Sequence, residues 1–116
     1  MKNIIIILVL LISPVALLAQ KNQTIIKDTL EVKGNCSHCK MRIENAATLP
    51  GVKFAEWEKE THLLQVVYKS AKVSREDIEK SIAAKGHKVG DIPADSSAYE
   101  NLPACCQYKS GASCEH

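Results

Sequence analysis

Apolar and polar residues alternate from Ile26 to Lys33. Ile26, Leu30 and Val32 share one parity, and Lys27, Thr29, Glu31 and Lys33 take the other. A period of two predicts a half-buried strand, and Gly34-Asn35 ends it. The period then changes. Cys39, Ile43, Ala46 and Ala47 fall on one helix face, with Arg42, Glu44 and Asn45 turned away. Leu49-Pro50-Gly51 stops that helix. Val52 to Glu58, with the bulky Phe54 and Trp57, predicts a second strand. A polar turn at Lys59-Glu60-Thr61 leads into a third, His62 to Tyr68, with Leu64, Val66 and Tyr68 on one side. The short connection makes these two a hairpin. Ser74 is placed to cap the next helix and Asp77 to answer it. Val73 and Ile78 sit as a hydrophobic staple, Ile82 continues the stripe, and Gly86 supplies a left-handed C-terminal residue. His87 to Ile92 reads as a short last strand.

The order strand, helix, strand, strand, helix, strand is the split βαβ arrangement. It predicts an α+β, ferredoxin-like fold: a four-stranded antiparallel sheet with two helices on one face. After Pro93 the periodicity stops, Asp95-Ser96-Ser97 is loop-like, and the tail to His116 reads as weakly structured apart from its cysteines. The chain has 116 residues, room for one small domain and not two.

The first 19 residues stand apart from that domain. Met1-Lys2 gives a positive start, Ile4 to Ile12 is an unbroken apolar run, Ser13-Pro14 breaks it, and Ala19 offers a small residue at a cleavage point. That is the layout of a secretory signal peptide. An uncleaved leader acting as a membrane anchor is the alternative, but the run falls short of the roughly 20 residues that span a bilayer. The expected organisation is a leader over residues 1–19, a domain over 20–92 and a Cys-rich tail over 93–116, working in the periplasm or as a secreted protein. Cysteines there tend to oxidise.

Composition narrows the function. A formal charge of +2 is too weak for a nucleic-acid binder, which needs a clustered basic face. Aromatic residues are only 4%, so the core must be mostly aliphatic. Five cysteines is a high and odd count, and it cannot close into a complete set of internal disulfides.

The chemistry gathers at Cys36-Ser37-His38-Cys39. Two thiols with two residues between them, at a strand-to-helix turn, form a chelating pair. A helix N-terminus favours negative charge, and thiolate is the form that binds metal and attacks disulfides. The spacing permits a soft-metal clamp, a redox dithiol or a structural disulfide. A thioredoxin-like enzyme usually has an aromatic residue before the first Cys, where Asn35 stands, and its element order differs. A structural zinc site wants four ligands, and no second Cys or His pair falls within residues 20–92. Two soft ligands suit a d¹⁰ ion, with Cu(I) the leading candidate.

The run Val32-Lys33-Gly34-Asn35-Cys36-Ser37-His38-Cys39-Lys40, with Ile43-Glu44 and Leu49-Pro50-Gly51-Val52 after it, resembles the heavy-metal-associated domain of copper chaperones, copper-pumping ATPases and periplasmic mercury-binding proteins. The resemblance covers about residues 28–92 and implies the same split βαβ fold, with Cys36 and Cys39 as metal ligands. One departure is clear. The common family motif has a Met two residues before the first Cys, tucked under the metal loop, and this chain has Gly34 there.

Three further residues are candidate auxiliary ligands. His87 should border the Cys36 loop, because the last strand starts at the end of the sheet where the first stops. Cys105 and Cys106 are adjacent and would strain a bridge to each other. Either they simply oxidise, one of them bridging to Cys114, or the tail folds back and lends thiolates to the same metal. His38 reads as a solvent-exposed loop residue. Together these expectations describe a non-enzymatic metallochaperone, monomeric when metal-free. It would capture Cu(I), with Hg(II) or Zn(II) as alternatives, in an exposed loop. It would pass the ion to a metal-transporting membrane protein or another metal-binding domain. A thiol-disulfide oxidoreductase using the same cysteines, and a carrier or sensor using the tail, are the rivals.

Overall fold

The sheet is built from β1 (Ile25–Glu31), β2 (Val52–Trp57) and β3 (Leu63–Lys69), in the antiparallel order β1-β3-β2. The computed structural model describes residues 24–110. The leader, Cys114 and His116 lie outside these residues. Alternation puts Leu30, Leu64, Val66, Tyr68 and Trp57 on the covered face, in register as Leu30↔Leu64 and Trp57↔Leu64. Phe54, on the other parity from Trp57 after a bulge, is 45% exposed. The hairpin turn ends at His62, whose φ of +62° is one that histidine tolerates better than most side chains.

Two helices cover that face. α1 (Ser37–Ala47) buries Cys39, Ile43, Ala46 and Ala47, the stripe expected from spacing. α2 (Arg75–Ala84) buries Ile78 and Ile82. Its start is a full capping box: the Ser74 hydroxyl accepts from Asp77 N–H at 3.1 Å, and Asp77 Oδ2 accepts from Ser74 N–H at 3.1 Å. These reciprocal bonds hold the Asp77 carboxyl below its usual range. Ser74→Ala should therefore lower stability by about 1 kcal/mol, an expected drop of about 4–8 °C in Tm for a domain this size. Metal affinity should not change, because the cap sits at the end of the sheet where β1 begins: Ser70 N–H donates to Thr24 O at 3.0 Å, four residues before the cap. Thermal melts and a metal competition on the same variant check both halves.

The expected fourth strand is cut to a single bridge, Val32↔Val89, flanked by Lys33 N–H to Lys88 O at 2.9 Å and Gly90 N–H to Glu31 O at 2.8 Å. It lies along the free edge of β1, where a fourth strand belongs in this topology. Gly90, at φ +52°, turns the chain back so that Val89 and Ile92 exchange both their hydrogen bonds. Pro93 then brings no N–H to a ladder.

The tail differs most from expectation. It is folded through residue 110: α3 (Ser96–Glu100) is followed by 3₁₀ turns at Ala104–Cys106 and Tyr108–Ser110. Asp95, read from sequence as loop, is the α3 cap and accepts from Ala98 N–H at 2.9 Å. Leu102 and Cys106 join the core. Among the described residues no helix is long and apolar enough to cross a membrane.

Candidate metal centre

Cys36 is the N-cap of α1 and Cys39 lies in its first turn. Both point inward, at 3% and 0% exposure. Their Sγ atoms are 3.7 Å apart. Asn35, ahead of the pair, accepts the Cys39 thiol at 3.1 Å and so orients it. Sequence reasoning used Asn35 only to end the strand and to argue against a thioredoxin-like site, and gave it no part in orienting the thiols.

Trp57 is the floor of this loop. Its indole N–H donates to Val32 O at 3.0 Å, its backbone N–H donates to Glu44 at 2.9 Å, and Lys40 Nζ donates to its carbonyl at 3.0 Å. Trp57 thus ties the end of β1, through its indole, to α1, through its backbone, and His62 stacks on the indole at 5.9 Å. This explains Gly34. A Cβ there would meet the Trp57 ring at 3.0 Å and Cys39 Cβ at 3.0 Å. A side chain at position 34, where the common family motif has a Met, would need space that Trp57 fills from β2.

The tail brings a third sulfur. Cys106 is fully buried, its Sγ 3.8 Å from that of Cys36. The sulfurs of Cys36, Cys39 and Cys106 all lie within 4.8 Å of one another. Burial first, and then the hydrogen bond and charge of Cys39, push the Cys106 thiol up to about 11. Cys36 and Cys105 are disulfide-bonded, and Cys39 and Cys106 are free. With those two free, the bond joins the loop to the tail, and Cys36 Sγ sits 3.8 Å from the Cys105 carbonyl. The site is therefore covered rather than open to solvent, as a bare loop would be. His38 is exposed, with Nδ1 3.8 Å from Cys105 Sγ. A surface groove of about 480 Å³ lined by Ser37, Lys40, Trp57 and Leu63 has no cysteine in its wall.

His87 is fully buried beside the loop. Its Nδ1 lies 2.8 Å from Lys33 O. A carbonyl only accepts, so Nδ1 carries the proton and Nε2 is left as a buried atom without a partner. Its ring stacks on Tyr108 at 5.8 Å, and it is not a member of the three-sulfur group. Burial holds its pKa below 6.5, the Lys33 carbonyl opposes this, and the Arg42 charge adds to the lowering. The unfolded chain then takes up a proton that the folded one refuses. Stability is full above about pH 6.5 and is lost as pH falls through that value towards the depressed folded pKa. Denaturant midpoints of the metal-free protein should drop between about pH 7.5 and pH 5.5. His87→Gln should flatten that slope.

A split βαβ frame with a thiol cluster at the entry to its first helix defines an architectural class. A family model described as the heavy-metal-associated domain matches residues 29–88, more than half of the chain, and the chain belongs to that family. The CopZ metallochaperone is 30% identical, with a TM-score of 0.54, over 56% of this chain and 100% of that one. Oxidized MerP from Ralstonia metallidurans CH34 is 28% identical, with a TM-score of 0.55, over 58% of this chain and 96% of that one. A copper binding domain from HMA7, a P-type ATPase, is 27% identical, with a TM-score of 0.53, over 55% of this chain and 89% of that one. Among curated proteins none matches. The residues matched by the family model end before the tail.

Proposed function

We propose that this protein binds a soft heavy-metal ion as cargo, Cu(I) before Hg(II) or Zn(II), and transfers or buffers it. Cys36 and Cys39 are the primary ligands. The observation that carries the reading is the pair of sulfurs 3.7 Å apart at the start of α1, in a chain of the heavy-metal-associated family. Thiolate donors without carboxylate or imidazole in the group favour a soft ion. Relatives named as a metallochaperone and as a copper binding domain of a P-type ATPase support handover, with a partner thiol entering as one of these leaves. The partner would be a metal-transporting membrane protein or another metal-binding domain. Such a carrier turns over no substrate, and the leader would place it in the periplasm or outside the cell.

The same disulfide and free thiols also favour one second reading, a thiol-disulfide oxidoreductase, since Cys39 and Cys106 both stand within 4 Å of the bonded Cys36 sulfur. Metal content separates the two. The chain purified anaerobically with a reductant should retain one soft ion per molecule. A protein that takes up no soft ion after reduction would contradict the carrier reading.

A further inference from the structure

The tail is built to hold Cys106 in one place. α3 lies against the Gly86 turn so closely that a Cβ on Gly86 would come within 2.9 Å of Tyr99 N. Asp95 N–H donates to Ala83 O at 2.9 Å, and Leu102 is buried. On the far side of the cysteine, Tyr108 OH donates to Gly86 O at 3.1 Å and accepts from Lys88 N–H at 2.9 Å, with its ring on His87. Tyr99 and Tyr108 meet edge to face at 5.1 Å. Between these anchors the 3₁₀ turn, closed by Cys106 N–H to Pro103 O at 2.8 Å, aims the Cys106 side chain at the thiol loop.

The spacings then argue against two-coordination. With metal–thiolate bonds of about 2.3 Å, two sulfurs in line across an ion stand about 4.6 Å apart, and three in a plane stand about 4 Å apart. Cys36 is 3.7 Å from Cys39 and 3.8 Å from Cys106. These distances are shorter than a linear pair needs and suit a set of three or more sulfurs, of which the structure gathers three.

We propose that Cys106 is a third thiolate ligand, so that a soft ion accepting three sulfurs is held by Cys36, Cys39 and Cys106 under the folded tail. This deepens the carrier reading and rests on it. The oxidised form must first be opened. The Cys36–Cys105 bond breaks by taking two electrons and two protons from a dithiol reductant, which leaves as its own disulfide. Cys36 then joins the other two sulfurs, and Cys105 is released as a thiol. Three ligands, one of them delivered by a segment clipped at both ends, make release to a partner depend on movement of the tail.

The test is X-ray absorption on the full chain, reduced and loaded with Cu(I), beside Cys106→Ser, Cys106→Ala and Cys105→Ser. The expected counts are three sulfurs for the parent and for Cys105→Ser, and two for both Cys106 variants. The apolar Ala variant controls for the cost of a buried hydroxyl. The Cys106 variants should also lose affinity in chelator competition by more than the about tenfold that loss of an outer-shell partner costs. Two sulfurs in the parent, or three in the Cys106 variants, would overturn the proposal while leaving the carrier reading intact. A parent that binds no soft ion would instead fail the carrier reading.

Discussion

Trp57→Ala should remove about 3–5 kcal/mol of folding stability, the range for emptying a buried aromatic site. Single domains have only about 5–15 kcal/mol in all, so this variant should sit near the edge of folding at room temperature. The size of the effect comes from three roles at once. The ring is 1% exposed, its N–H satisfies Val32 O, and its face closes the space under Gly34. Gly34→Met, which restores the common family residue, should also destabilise, by about 1–3 kcal/mol or more, because the space is already taken. The informative result is the pair. A Met at position 34 can occupy the volume that Trp57→Ala vacates, so the double variant should be more stable than the sum of the singles predicts. Residues in contact couple by about 0.5–3 kcal/mol. Denaturant unfolding of the four proteins measures it. Additive losses would mean that Trp57 does not stand in for the family Met.

Much of the frame was legible because it follows local rules. The Ser74–Asp77 box, the Gly86 stop and the alternation through β1 and β3 each depend on residues close in sequence. The fourth strand failed for a local reason too. Gly90-Asp91 reads as the inside of a short strand, yet Gly90 adopts φ +52° and turns the chain after one bridge. The tail was hidden by length. α3 has five residues; Tyr99, Leu102 and Cys106 fall at helical spacing, but Pro103 interrupts the run, the chain continues in 3₁₀ turns that repeat every three, and Tyr108 falls off the period. A signal was present: two of the chain's three tyrosines, together with Leu102, fall in this short segment. Such side chains need a surface to cover, and that surface is the Gly86-His87 turn.

In the site, the nearness of Cys36 and Cys39 followed from spacing. The nearness of Cys106 could not, since it depends on how a tail nearly seventy residues away packs. Covering the loop changes what metal capture requires. An ion reaching a bare loop meets two ligands at once, whereas here the Cys36–Cys105 bond and the tail stand in its way.

The central claim is that Cys36 and Cys39 hold the metal. The reduced full chain should bind one Cu(I) in competition with a Cu(I) chelator under anaerobic conditions. Cys36→Ser and Cys39→Ser should each lose more than about tenfold in affinity, and the double variant more than about 100-fold, because a direct ligand matters more than the outer-shell partners that set that range. The double variant keeps only Cys106 of the three sulfurs gathered at the start of α1, and so has no chelate there. If the double variant competes for Cu(I) as well as the parent does, the ion is not held at the start of α1 and the account is wrong.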